Sequence, residues 1–397
     1  MAIKNLKIAT LSALATIPLS GFLTDIYLPS MPQMTGELEV TSEQMQLTVT
    51  LFLICYAMTQ VFAGSFLDSL GRYKLTLYSL LLLAISSLLI GFTSNIYVIY
   101  FLRALQGVGA GVAANAKRSL FVDIYTGEKR QHYLSILAIV WSAGPIIAPF
   151  IGGYLEHLLG WRSNFYALSI YAFVLLITES YFSGETIIHK HSLKIKSIFN
   201  NYLEMVKASD FFLSLLILST CYGLIFIFSL SGAFIIEHTM GYSPVVAGNV
   251  SLILGPAWMA GGFLGKFFLK YELTKKVKSA LFFLFIFVAG MILVSEFQQT
   301  IYLLTIFAFI IHLLAGFIFN VIFSYCLTRF PTKAALSGGF AAGGNTFVTS
   351  ILSYSVVKLL QIDNQLLLSV GYSVMVLLCF TCFVFFNRRY REIKDAR

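Results

Sequence analysis

Residues 23–34 read LTDIYLPSMPQM, which places a carboxylate, Asp25, inside the first strongly apolar run of the chain. A charge is costly in hydrocarbon, so an acid there is first of all a candidate for function. The chemistry open to it is proton exchange. A carboxyl holds its proton when desolvated and releases it when water or a cation arrives. Only a charge that is alternately occupied can couple two fluxes. Pro18 and Gly21 share the helical face of Asp25, so that face is expected to line a cavity. The other reading open to Asp25 is structural: pairing with a neighbour, or capping the helix near the interface.

The next chemically distinct stretch is RALQGVGAGVAANAKRSLFVD, residues 103–123. At about 100° per residue, Arg103, Gly107, Ala110, Ala114 and Lys117 fall within about 40° of one line. Small residues flanked by two cations fit the wall of an aqueous cavity, with Gln106 beside Arg103. A buried structural ion pair is the alternative for Arg103, and snorkelling to the surface is the alternative for Lys117. Other polar residues lie within apolar runs. The tyrosine of the Tyr27-Leu28 pair, Tyr56, Asn115 and Tyr222 are candidates for a substrate cavity. Glu179 and His312 are reserve proton carriers. Each such residue alone also fits an interhelical hydrogen bond.

Covalent and metal chemistry find no support. Cys379 and Cys382 form a C-x-x-C in CFTC, with no His or acid nearby, and read as two small apolar residues one helical turn apart. No phosphate-binding loop is present, so ATP is not the expected energy source. No cofactor, metal or catalytic constellation is expected.

The elements that position these residues follow from composition. The 397 residues are 58% apolar and only 11% charged. A soluble domain carries about 25% charged residues. Mean hydropathy is +0.83, the range of a chain whose partner is the lipid bilayer. A membrane helix needs about 20 mostly apolar residues. Twelve segments qualify: 6–28, 44–67, 75–93, 97–122, 133–156, 162–183, 211–236, 244–269, 279–297, 301–326, 336–359 and 365–386. The basic, apolar start reads as the first of them rather than as a leader peptide. Residues 29–43 are expected to be a connection.

Residues 184–210, polar and basic, separate an N-terminal bundle (1–183) from a C-terminal one (211–397) with a basic tail. The linker's middle fits an interfacial amphipathic helix. The net charge of +9 belongs to cytoplasmic loops rather than to nucleic acid binding. With both termini in the cytoplasm, the inner side collects the cations, including Lys190, Lys194, Lys196 and Arg397. Arg162 and Lys358 alone fall outside, and Arg103 lies within a helix. The halves echo each other. GSFLDSLGRYK follows the second segment and LGKFFLKYELTKK the eighth, while Gly144-Pro145 is expected to match Gly255-Pro256. Two similar six-helix bundles fit a secondary transporter with a site between them.

Four stretches add a family resemblance. GSFLDSLGRYK carries Gly64, Asp68, Gly71, Arg72 and Lys74 in the order of the loop 2–3 signature of the major facilitator superfamily, G-x-L-a-D-r-x-G-r-k. In it, Gly64 is expected to admit a neighbouring helix closely. Asp68 is expected to cap the start of the eleventh helix near Leu336–Gly339, and Arg72 to pair with Asp123, together forming a cytoplasmic gate. AGPIIAPFIGGYL, residues 143–155, resembles the superfamily's antiporter signature through Gly144, Pro145, Gly152 and Gly153. Pro145 and Pro149 would kink that helix, and the glycines would pack across the two halves. Arg103, Gln106, Gly107 and Gly109 resemble its helix 4 pattern, R-x-x-Q-G-x-G. TDIYLPSMP resembles the end of helix 1 in drug:proton antiporters of the bicyclomycin/chloramphenicol-resistance type.

The resemblance implies an all-α membrane protein of the major facilitator fold: twelve transmembrane helices in two pseudo-symmetric six-helix bundles. It implies a monomer of the bacterial inner membrane that exports small, drug-like molecules against protons by alternating access, with Asp25 as the proton carrier. Transport of an anionic metabolite or carboxylate siderophore is the alternative, with Arg103 and Lys117 clamping carboxylates. A non-transporting membrane receptor is the second.

Overall fold

The computed structural model describes residues 3–187, 195–268 and 270–395. Lys190, Ser192, Lys194 and Arg397, with the rest of 188–194, lie outside the described residues. Among those described, every regular element is a helix. Two compact units divide the chain, Met1–Ile195 and Lys196–Arg397.

The first unit holds α1 (Leu6–Thr16), α2 (Leu19–Asp25), α3 (Met31–Glu37), α4 (Ser42–Leu70), α5 (Arg72–Phe92), α6 (Ile96–Ile124), α7 (Gly127–Leu159) and α8 (Arg162–Phe182). The second holds α9 (Ile195–Lys207), α10 (Ser209–Phe234), α11 (Pro244–Phe267), α12 (Leu273–Phe297), α13 (Ile301–Arg329), α14 (Ala334–Leu360) and α15 (Gln365–Asp395).

Among the described residues, eleven helical spans are long and apolar enough to cross a membrane. The twelfth, α14, has the length, but its AALSGGFAAGGNTFVTS start is rich in Gly, Ser, Thr and Asn. Large apolar side chains such as Phe92, Phe101 and Phe297 are exposed, as a surface facing hydrocarbon requires.

The first span departs from expectation. Leu6–Glu37 forms one apolar stretch, whereas the sequence places a connection from residue 29. A 3-10 turn at Leu28–Ser30 leads directly into α3. Pro29 and Pro32 do not break it, because each stands in the first turn of its helix. There the missing N–H is one that no intrahelical bond would use.

Elsewhere the boundaries have local causes. The Thr41 hydroxyl accepts from the Gln44 amide while the Gln44 side chain accepts from the Thr41 amide, a capping box that starts α4. Asn95 caps α6 in the same spirit. α4 ends at Gly71, whose φ of 104° is open to glycine and strained for other residues.

The two units repeat one packing order. In the first, α4 packs on α6, α5 on α6 and α8, α1 on α8 and α6, and α2 on α7. In the second, α11 packs on α13, α12 on α13 and α15, and α10 on α15, α13 and α14. The order makes α11 the counterpart of α4, and α14 that of α7. The match between Gly144-Pro145 and Gly255-Pro256 is therefore corrected: these dipeptides lie on non-equivalent helices. α9 leaves Phe199, Leu203 and Val206 exposed on one side, while Tyr202 stacks on Phe340 with centroids 4.7 Å apart.

Glycine in α7 serves contact inside the first unit. A Cβ on Gly152 would collide with the Ile26 carbonyl, and one on Gly144 would lie 2.8 Å from the Pro18 oxygen. Gly64 is the opposite case. Nothing described lies within 4 Å of its would-be Cβ, so the close approach expected there is not found. Gly152→Ala is accordingly expected to cost about 1–3 kcal/mol, the price of overpacking. Gly64→Ala is expected to be neutral or to gain up to about 1 kcal/mol of helix propensity. Thermal unfolding of the two variants in detergent compares them; equal midpoints would contradict the α2–α7 seam.

Candidate functional site

Asp25 ends α2 and is 7% exposed. Among the described residues it has no ion pair. Arg103 is the cation near enough to act on it through space. The face it shares with Pro18 and Gly21 is not a cavity wall, as the spacing predicts, but a seam against α7. A Cβ on Gly21 would sit 2.5 Å from the Pro145 ring. Small residues admit water and a neighbouring backbone equally well, so sequence alone does not separate the two.

Arg103 is fully buried in α6. Its guanidinium carbon lies 4.7 Å from the Tyr27 ring centroid and 4.5 Å from that of Phe52. One terminal nitrogen donates to the Leu23 carbonyl at 2.8 Å and to Gln106 Oε1 at 2.7 Å. Gln106 in turn donates to Ser87 at 2.8 Å. Arg103 Nε and its other terminal nitrogen make no hydrogen bond among the described residues. The Tyr27 hydroxyl meets that of Thr48 at 2.8 Å, and Leu28 opens the turn that follows. Tyr56 stacks on Phe52 at 5.9 Å and accepts from Gln60. Asp25, Tyr27, Arg103 and Gln106 thus gather around one aromatic-lined, desolvated guanidinium.

The small-residue stripe on α6 is likewise a seam. A Cβ on Gly107 would strike the Phe52 carbonyl of α4. Asn115 spends its amide on the Gly111 carbonyl of its own helix at 3.0 Å. Lys117 neither snorkels nor stands free. It is 2% exposed, and its ammonium pairs with Glu179 of α8 at 2.5 Å. The partner lies 62 residues on in sequence, beyond the reach of any local pattern. Ser12 reaches the other Glu179 oxygen at 3.4 Å.

Around the α4–α5 turn, Arg72 pairs with Asp123 and, at 2.9 Å, with Asp68. Thr186 donates to the same Asp123 oxygen at 2.7 Å. Asp68 thus accepts from Arg72 in its own unit.

No local pattern marks Glu185, the residue that organises this end. Its carboxylate accepts the amides of Arg72 and Tyr73, the start of α5, at 3.1 and 3.2 Å. It also accepts those of Thr186 and Ile187 at 3.1 and 3.2 Å. Burial raises its pKa, but the four amides outweigh burial and hold it below the usual carboxylate value. A lowered folded pKa stabilises above the unfolded value, about 4.3, and the gain is lost as pH falls through the folded value. Glu185→Ala is expected to cost about 1–2 kcal/mol, as loss of a helix cap does. Glu185→Gln, which keeps an acceptor but no charge, is expected to cost about 0.3–1 kcal/mol. Unfolding midpoints between acid and neutral pH check both: the gap between wild type and Gln should close in acid.

On α7, Pro145 and Pro149 lie inside a continuous helix. Gly152 and Gly153 are buried. In the second unit, Tyr222 joins an aromatic group with Phe226 at 4.9 Å, Trp258 at 5.7 Å and Phe319 at 6.0 Å. His312 is buried with its Nε2 3.3 Å from the Tyr372 hydroxyl. Asp210 at the start of α10 takes Arg329 and Tyr325 from α13. Cys379 faces Cys221 at 3.8 Å, and all five cysteines are free. No group of three or more potential metal ligands occurs among the described residues.

Among the described residues, eleven membrane-crossing spans and a long α14, in two units of like packing with charges buried inside them, define a multi-pass membrane protein. The family model of the Major Facilitator Superfamily matches residues 14–354, and the chain belongs to that family; it is a transporter and not an enzyme.

The chain is 28% identical over 232 residues to a bicyclomycin resistance protein homolog of Haemophilus influenzae, covering 57% of each. It is 27% identical over 372 residues to the multidrug resistance protein MdtL of Shewanella oneidensis, covering 89% of this chain and 90% of that one. With multidrug resistance protein D of Escherichia coli it shares 30% over 145 residues, 36% of this chain and 37% of the other. The match to the Haemophilus protein thus spans little more than half of its length. Among solved structures, a D-xylose–proton symporter has the same fold, with a TM-score of 0.74 at 14% identity over 96% of this chain and 97% of that one.

Proposed function

We propose that the chain is a proton-coupled exporter of drug-like or other small organic molecules. The observation that carries this is Asp25: a buried carboxyl in the first span, with no ion pair among the described residues and one buried guanidinium nearby. Names given to relatives, bicyclomycin and multidrug resistance, support export. Asp25 takes the proton. Arg103, Gln106, Tyr27, Tyr56, Asn115 and, in the other unit, Tyr222 are the residues offered to substrate. Asp68, Arg72, Gly71 and Asp123, held by Glu185, form a gate whose charges exchange partners during transport. The basic loops lie in the cytoplasm with both termini, and the protein works as a monomer in the bacterial inner membrane.

The buried guanidinium of Arg103 favours a second reading, transport of an anionic metabolite or carboxylate siderophore. Lys117 weakens it, being already paired with Glu179. Uptake into everted membrane vesicles with an acid interior distinguishes the readings. Cationic or neutral compounds are expected to accumulate and to leak away when a protonophore is added. Accumulation of tricarboxylates alone would favour the second reading. Transport indifferent to the pH gradient would remove proton coupling.

A further inference from the structure

Glu156 lies one helical turn beyond Gly152, near the end of α7 remote from its basic start. It is 5% exposed, and the scheme above does not use it. The Ser30 hydroxyl lies close enough to its carboxyl to favour the charged form. Asn164 of α8 donates to Ser30 at 2.7 Å and to the Gly152 carbonyl at 3.4 Å. Glu156 Oε2 and Asn164 Oδ1 both lack a hydrogen-bond partner among the described residues. The charged groups on the surrounding elements include Asp25 on α2, Glu37 on α3, Arg103, Lys117, Arg118 and Asp123 on α6 and Arg162 and Glu179 on α8, with His157 on α7 itself; Lys117 is bound to Glu179. None supplies a cation to Glu156. Arg162 is bound to Glu37 at 2.7 Å, and Arg103 to Leu23 and Gln106. Glu37 instead presents like charge. An ionised Glu156 would be a buried charge with one neutral donor. A protonated Glu156 brings a donor into a trio that holds two unpaired acceptors.

We propose that Glu156 is a second proton-binding carboxylate of this transporter, on the same α2–α7 seam as Asp25. The proposal rests on the reading that the coupling ion is a proton. The step is a proton transfer alone: Oε2 takes a proton from water at that end of the unit and returns it to water. Gly152 seats on Ile26, the residue after Asp25. Glu156 is thus about 6 Å along the helix axis from the contact that holds Asp25 in place.

Dicyclohexylcarbodiimide, which modifies protonated carboxyls in apolar surroundings, tests this on the wild-type protein in detergent, with peptides mapped by mass spectrometry. Label is expected on Glu156 at neutral pH and is expected to fade as pH rises. Failure of Glu156 to react overturns the proposal, whether or not Asp25 reacts. An unlabelled Asp25 beside a labelled Glu156 overturns the Asp25 reading and leaves this one. Glu156→Gln is expected to insert normally and to shift the pH profile of gradient-driven transport, with Glu156→Asp restoring part of it. An unchanged profile would reduce Glu156 to a structural acid and overturn the proposal.

Discussion

Asp25→Asn is expected to abolish accumulation driven by a pH gradient while leaving insertion and folding intact. The amide is nearly isosteric with the acid and cannot exchange a proton. Asp25 has no ion pair among the described residues to lose, so its neutral replacement strands no partner charge. The cost appears in coupling rather than in stability, because Arg103 keeps its bonds to Leu23 and Gln106. Proton release on adding substrate to the detergent-solubilised protein is the direct assay. Wild type is expected to release protons and the variant fewer, though the variant can still bind or exchange substrate. Undiminished release from the variant would move coupling to another acid, Glu156 first. Arg103→Ala adds a discriminator: loss of binding there, with binding intact in Asp25→Asn, would strengthen the anionic-substrate reading.

The largest loss of stability is expected from breaking the Lys117–Glu179 pair. Both side chains are about 2% exposed and lie 2.5 Å apart. Lys117→Met leaves the Glu179 carboxylate buried with only Ser12 at 3.4 Å. Stranding one charge of a buried pair costs about 3–5 kcal/mol. Replacing both, Lys117→Met with Glu179→Leu, removes the stranded charge, and such replacements are often neutral or better. The double variant should therefore be more stable than either single one. A double-mutant cycle from unfolding midpoints, with membrane yield alongside, measures this. Additive losses would mean that the two charges do not depend on each other.

The helices were legible because hydrocarbon demands long apolar runs, and the runs lie where the chain crosses. Legibility failed where one pattern serves two ends. The Arg103–Lys117 stripe and the Pro18–Gly21–Asp25 face read as cavity walls, yet Gly107 and Gly21 meet neighbouring backbone. Residues 29–43 read as a connection, yet Pro29 and Pro32 start helices. Of the residues gathered at the site, Asp25, Arg103 and Gln106 stood out as polar groups in apolar runs, and the Arg72–Asp123 pair was foreseen. Glu156 carries the same signal in GGYLEHLL, where the apolar segment ends. Glu185 carries none: an acid in a polar linker owes its role to amides 112 and 113 residues earlier. Lys117 owes its burial to a partner on another helix, which no periodicity encodes.

The first span is built in pieces, α1 and α2 parted at Ile17-Pro18 and α3 set beyond the turn at Leu28–Ser30. A rod of three short segments bends where a continuous rod of equal length would have to tilt. The seven-residue α2 is gripped at Pro18, Gly21 and Ile26 by α7, so its position is dictated more by that neighbour than by its own axis. Mechanically, Asp25 rides on α7 as a pawl rides on its ratchet. Hydrogen–deuterium exchange should find the amides of α2 and α7 slowing and quickening together, while those of α4 keep their own pace.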